Sequence, residues 1–216
     1  MAIAQPPGSQ TVVKDAEEQA YHGAIAARAE QILIPLRLEA DAHSNRVHAI
    51  IMEQYRTLRR IHAWRDQALK EIPSHIAQDS NSYKRAQEQI LRQTRVELDL
   101  ARREFLGRLE TELRPEQIDQ IKDGMTYRLA EITYRAYLRL LPELTEEQRQ
   151  HIRAMLYEAR ELAMDEGSAR DKHILFNRYK GRINNYLSSA GYDLQAAERR
   201  LRQSMGAGST NHPSSR

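Results

Sequence analysis

The sequence predicts an all-α protein, a long antiparallel helical hairpin followed by a compact bundle of shorter helices. Three observations carry that prediction. Only nine Gly and seven Pro interrupt 216 residues, too few for many short strands joined by tight turns. Apolar residues make up 40% and charged residues 29%, the mixture of long amphipathic helices. Apolar positions also recur at intervals of three and four, the repeat of one helical face.

Taken in order, residues 1–13 read as a disordered start, and a first helix occupies about Lys14 to Ile34, ended by Pro35, whose ring cannot continue a helix. The second helix carries the seam Val47, Ile51, Leu58, Ile61 and Leu69 and stops near Ile72-Pro73, because the residue before proline avoids the helical region. Gln78 to Ser82 is a turn and cap. A third helix then runs to about Leu113 with Ile90, Thr94, Leu98, Ala101, Phe105 and Leu109 on one stripe, long enough to pack lengthwise on the second. The hairpin region is thus residues 14–112.

From Leu113 the texture changes, and residues 113–205 form the expected bundle. Seven of the ten tyrosines fall between Tyr127 and Tyr192, so rings with polar tips concentrate there. Pro115 suits a first helical turn, and Thr145 with Gln148 forms a capping box. Ile152, Met155, Leu156, Ala159, Leu162 and Ala163 mark a core face. Gly167-Ser168 separates this helix from one carrying Arg178 to Ser189, Gly191 caps that helix, and Asp193 caps a last helix to about Met205. Residues 206–216, rich in Gly, Ser, Asn and Pro, read as a disordered tail.

Several function classes fall away. Without cysteine there are no disulfides, thiolate nucleophiles or Cys-ligated metals. No segment approaches the ~20 apolar residues of a membrane span, and Met1 to Gln10 lacks the basic and apolar runs of a signal peptide. The expected location is therefore periplasmic or secreted where a leader has been removed, and cytoplasmic otherwise. The net charge of +3 arises from 33 basic and 30 acidic residues, interspersed along the helices, so no nucleic-acid partner is expected. His43 and His48 stand five apart, a spacing that does not aim both at one ion, and no Gly-rich phosphate loop occurs. Neither metal nor cofactor is predicted.

The candidate site lies between Lys180 and Asp193. Ile183, Leu187 and Ala190 form an apolar backing while Arg178, Arg182, Asn185 and Ser189 line a polar row. Amides, guanidinium groups and phenol rings suit a neutral polyhydroxylated ligand, since they offer paired donors and acceptors beside a flat apolar surface. Arg178, Arg182, Asn184, Asn185, Tyr186 and Tyr192 are the predicted ligand-binding residues, and two adjacent Asn inside a helix need a compensating contact. Tyr127 joins them as part of an aromatic wall with Tyr134 and Tyr137, and Asp123 as a cap or ligand contact beside Gly124. The same Arg, Asn and Tyr also suit helix-end hydrogen bonds and a wet-edged core. For catalysis the nearby acids and histidine are Asp123, Asp165, Glu166, Asp171 and His173.

The stretch from about Leu113 to Leu201 resembles an uncharacterised bacterial family of mostly exported helical proteins thought to bind sugars. The matching motifs are Asp123-Gly124-Met125-Thr126-Tyr127, Leu141 to Gln148, Glu158-Ala159-Arg160-Glu161, Ala163-Met164-Asp165 and, most specifically, Lys180-Gly181-Arg182-Ile183-Asn184-Asn185-Tyr186-Leu187. The resemblance implies a helical fold, export and a role near polysaccharide degradation. Leu113 to Gln117 and Leu144 to Gln148 are more loosely similar to the paired Leu-Thr-x-x-Gln motifs of periplasmic helical chaperones, the first copy lacking the Thr. The expected function is non-catalytic recognition of a polar ligand, a carbohydrate. The alternatives are a carbohydrate-active hydrolase or lyase, and a chaperone-like scaffold.

Overall fold

The computed structural model describes residues 7–207 apart from 39, 40, 74, 75, 77 and 78, and among them the chain forms eight α-helices and no strand. The fold is all-α. Two compact units meet in sequence between Gly124 and Met125, further along than the 112/113 boundary the change in texture suggests.

In the first unit α1 spans Pro7–Leu33. It begins earlier than Lys14, so residues 7–13, expected as part of a disordered start, are helical; Pro7 stands at the first helical position, where a missing N–H costs no bond. Ile25, Ala29, Ile32 and Leu33 form its buried stripe. Pro35 falls in a 3₁₀ turn, Ile34–Leu36, and Arg37 follows with φ 48 in the left-handed region, which ends the helical run. Helix α2, Asp41–Lys70, buries Val47 and Ile51 completely and Leu58 nearly so, as its seam predicts. Helix α3, Ser80–Glu110, is capped by Asp79, whose carboxylate accepts from the Asn81 and Ser82 amides at 3.2 Å each. Gln78, the first residue of the expected turn, lies outside the described residues.

Arg46, near the start of α2, donates through Nε to Glu112, just past the end of α3, at 3.0 Å, and His43 Nε2 lies 2.7 Å from the Glu112 carbonyl oxygen. These contacts orient the two helices in opposite directions. Helix α4, Pro115–Met125, explains the later boundary. A Cβ on Gly124 would stand 3.0 Å from the Ile32 side chain, and Arg28 donates to the Gly124 carbonyl at 3.3 Å. A side chain here would press on Ile32, so glycine eases this close approach of α4 to α1, which draws α4 into the first unit.

The second unit opens on two consecutive left-handed residues, Tyr127 (φ 58) and Arg128 (φ 55). Helix α5 is Leu129–Leu140, α6 Glu146–Ala163, α7 Ala169–Ser189 and α8 Leu194–Ala207. The Thr145 hydroxyl accepts from the Gln148 amide at 3.2 Å while the Gln148 side chain accepts from the Thr145 amide at 2.9 Å, completing the predicted capping box. Gly191, with φ +92, lets the Tyr192 amide return to the Leu187 carbonyl at 3.1 Å, a left-handed helix stop. Asp193 then accepts from the Ala196 amide at 2.9 Å to start α8. Helix α6 packs against α5 and α7, and α8 against the same two. Leu141, Ile152, Ala159, Ile183 and Leu187 are fully buried in the resulting core; each Ile or Leu contributes roughly 1.5–3 kcal/mol of transfer free energy.

Gly206 and Ala207 are the last residues of α8, and the rest of the expected tail, like residues 1–6, lies outside the described residues. No helix among those described is long and apolar enough to cross a membrane.

Candidate ligand-binding face on α7

Helix α7 buries Leu175, Phe176, Tyr179, Ile183 and Leu187, which forces Arg178, Arg182, Asn185 and Ser189 outward. Arg178, Arg182 and Asn185 are all exposed. The Arg182 guanidinium lies 4.6 Å over the Tyr179 ring and 3.7 Å from Glu158 Oε1 on α6. A cation over a ring is attracted to its face, and the Arg182 side chain stays 56% exposed there. Burial, then the hydrogen bond with Glu158, raises the Tyr179 hydroxyl above its ordinary pKa, so it remains a neutral donor to that carboxylate. The side chains of Arg178 and Asn185 have no hydrogen-bond partner among the described residues; the bond at Asn185 is to its main-chain carbonyl, from Ser189 Oγ at 2.9 Å.

The remaining predicted residues have other commitments. Asn184 accepts from the Tyr137 hydroxyl at 2.6 Å, and that hydroxyl also lies 3.3 Å from the Lys180 carbonyl. Tyr137 is only 6% exposed, and burial pushes its pKa up to about 12. The contact that compensates the Asn184-Asn185 pair is therefore internal for Asn184. Tyr186 is half-buried against the core, with its ring centroid 4.4 Å from that of His151. Tyr192 donates to Gln148 Oε1 at 2.8 Å, the same oxygen that closes the capping box.

The predicted aromatic wall does not form. Tyr127 precedes α5 in a left-handed conformation and stacks on His173 with centroids 6.1 Å apart, Tyr137 points into the core, and Tyr134 is covered by Arg153 at 4.8 Å. A spacing of seven places rings on one face only if the helix is continuous, and here it starts at Leu129. Asp123 is half-buried on α4 of the first unit. Asp171 accepts from the Ser168 hydroxyl at 2.6 Å at the start of α7. Among the described residues no group of three His, Asp or Glu could hold a metal ion.

Two buried cations were not singled out from the sequence. Lys172, 3% exposed, donates to the Ala163 carbonyl at 2.7 Å, satisfying the end of α6. Arg160, 6% exposed, bonds Glu161 at 3.1 Å and lies over Tyr157. Helical spacing was the available signal, since Arg160 follows Leu156 by four and Lys172 precedes Phe176 by four. Gln54, a buried amide three after Ile51 and four before Leu58, is 5% exposed.

An all-α chain with a polar row backed by a tyrosine-rich core is the class these features define. The chain belongs to the DUF3826 family, described as a protein of unknown function, whose model matches residues 23–207. No curated protein matches the chain.

Proposed function

We propose that this protein recognises a polar, hydroxyl-rich ligand, a carbohydrate, without catalysis, through the open row of Arg178, Arg182 and Asn185 on α7. The observation that carries the reading is Arg182, its guanidinium carbon 4.6 Å from the Tyr179 ring centroid, with its neighbours Arg178 and Asn185 uncommitted among the described side chains. Guanidinium and amide groups in one exposed row offer donors spaced along a sugar's hydroxyls or a uronate carboxylate, on a helix anchored by its buried face. Glu158 is held by Arg182 and Tyr179, which suits it to accept a hydrogen bond from a ligand hydroxyl. The likeness in Lys180 to Leu187 supports a setting of export and polysaccharide use.

Glycan-array binding of the whole chain tests the reading beside Arg182→Ala and Asn185→Ala. Both side chains are exposed, so the variants should melt within a degree or two of the parent while the array signal falls at least tenfold. An array without signal, or variants that bind as the parent does, would overturn it.

A further inference from the structure

Helices α2, α3, α5 and α8 each pair a cation with an acid of their own, one turn away: Arg56 with Glu53, Arg92 with Glu88, Arg135 with Glu131 and Arg202 with Glu198. Helix α7 cannot. From Lys172 to Ser189 it contains no Asp or Glu, and its one acid, Asp171, is engaged by the Ser168 hydroxyl in the first turn. Lys172 to Arg202 holds seven Lys or Arg against Asp193 and Glu198, so the remainder of a chain with net charge +3 is acidic. The even mixture of signs in the whole chain hides a local excess of one sign. Within the row, Arg178 and Arg182 stand four residues apart, a spacing at which like charges repel. Arg178 is exposed and has no ion pair or hydrogen bond among the described residues. Arg182 reaches Glu158 at 3.7 Å, with both side chains more than half exposed, and Tyr179 shares that carboxylate. So open a pair offsets little of the repulsion.

We infer that the α7 row takes an acidic polysaccharide, a chain of uronic acids, and reads its charge as well as its hydroxyls; this rests on carbohydrate recognition at the same row. Each guanidinium offers a planar fork to a carboxylate. The two lie about 6 Å apart along the helix, so charge repeated along a polymer meets both, where a single carboxylate would meet one. A ligand carboxylate also relieves the repulsion that nothing on α7 offsets. Asn185, three residues beyond Arg182, and Glu158 supply a donor and an acceptor for the hydroxyls between. A neutral glycan would use these two and leave both guanidinium groups without a counter-charge. The Glu158 carboxylate opposes a nucleic acid, whose phosphates offer it no hydrogen-bond donor.

Calorimetric titration of the whole chain with polygalacturonate, alginate and hyaluronate, beside neutral galactan and cellulose oligomers, tests this. At least one acidic polymer should bind, and raising NaCl from about 0.05 M to about 0.5 M should weaken it about tenfold by screening. Its methyl ester, with the same hydroxyls and no charge, should bind about tenfold more weakly. Arg178→Gln should lower the affinity for the acid form by a similar factor, the equivalent of one charge-assisted hydrogen bond, and should melt with the parent, because no contact of the fold uses that side chain. Lys180→Gln removes the same charge about 200° round the helix from Arg178 and should change the affinity less than about twofold. A neutral glycan bound while no acidic polymer is, or a methyl ester bound as tightly as its acid, would overturn the inference and leave carbohydrate recognition standing. No binding of either kind would overturn both. An equal loss in Lys180→Gln, or equal affinity for a DNA duplex, would reduce the effect to net charge and also overturn it.

Discussion

In the second unit the buried hydroxyl of Tyr137 ends on Asn184, and that of half-buried Tyr192 on Gln148. In the first unit the Gln54 amide, as deeply buried as Tyr137, ends on nothing among the described residues. Short helices rich in tyrosine carry their own polar tips on apolar bodies, so neighbouring amides are used up as the core forms. Along the aliphatic seams of the long helices Thr94 answers its own helix's Ile90 carbonyl at 2.8 Å, whereas the Gln54 nitrogen is left without a partner among the described residues. A dense polar motif is therefore a poor guide to the groups left for a ligand. Of the amides and guanidinium groups in Lys180 to Leu187, those of Arg182 and Asn185 remain outward, while the oxygen of exposed Asn184 is taken by Tyr137.

Truncation in the tyrosine-rich core should give the largest effect. Leu187→Ala, at a fully buried position, should lower stability in urea by about 2–5 kcal/mol, whereas Leu100→Ala on α3, 55% exposed, should change it by roughly 0.5 kcal/mol or less. Equal losses would break the contrast between a closed core and an exposed helix face. Next comes Tyr137→Phe. It removes the bond to Asn184 and should cost about 1 kcal/mol. It should also change the alkaline limb of the stability curve. Burial raises the folded pKa of Tyr137 from 10.0 to about 12, so the folded state keeps a proton that the unfolded chain releases. That stabilisation is intact below pH 10, is lost as pH rises from 10 to 12, and amounts to about 3 kcal/mol. The parent should therefore lose more stability over this window than Tyr137→Phe, measured by urea unfolding at each pH.

Thr145→Ala should cost about 1 kcal/mol through the lost cap, read from the same unfolding curves. The smallest effect is expected in the first unit at Glu112. The Arg46 hydrogen bond, ahead of its charge, holds the Glu112 carboxyl below its ordinary pKa. Its contribution is present above the ordinary glutamate value and fades as pH falls through the lower folded value. Glu112→Gln should flatten that acid limb slightly, and 1 M salt should do much the same, since the pair is near solvent.

Much of this was legible one helix at a time. The seams of α2 and α3, the Thr145–Gln148 box and the Gly191 stop follow from spacing and local chemistry, and each forms. Contacts between distant parts of the chain were not legible. Asn184 is claimed by a tyrosine 47 residues away, which no periodicity within α7 reveals. The assignment of α4 to the first unit depends on Gly124 meeting Ile32. Tyr127 left the predicted wall because two left-handed residues restart the helix, an arrangement costly for non-glycine residues and unmarked in their side chains. Arg160, Lys172 and Gln54 lie on apolar stripes, where a polar residue reads as an interruption until its neighbours show it to be buried.

The most direct measurement of which polar groups remain available is NMR observation of the side-chain N–H signals while the whole chain is titrated with a glycan that scores on the array. The account predicts saturable shifts of the Arg178 and Arg182 Nε–H and the Asn185 amide signals, with the Asn184 and Gln54 amides unmoved. Shifts centred on Asn184 and Tyr137, or on Gln54 with the α7 row silent, would contradict it.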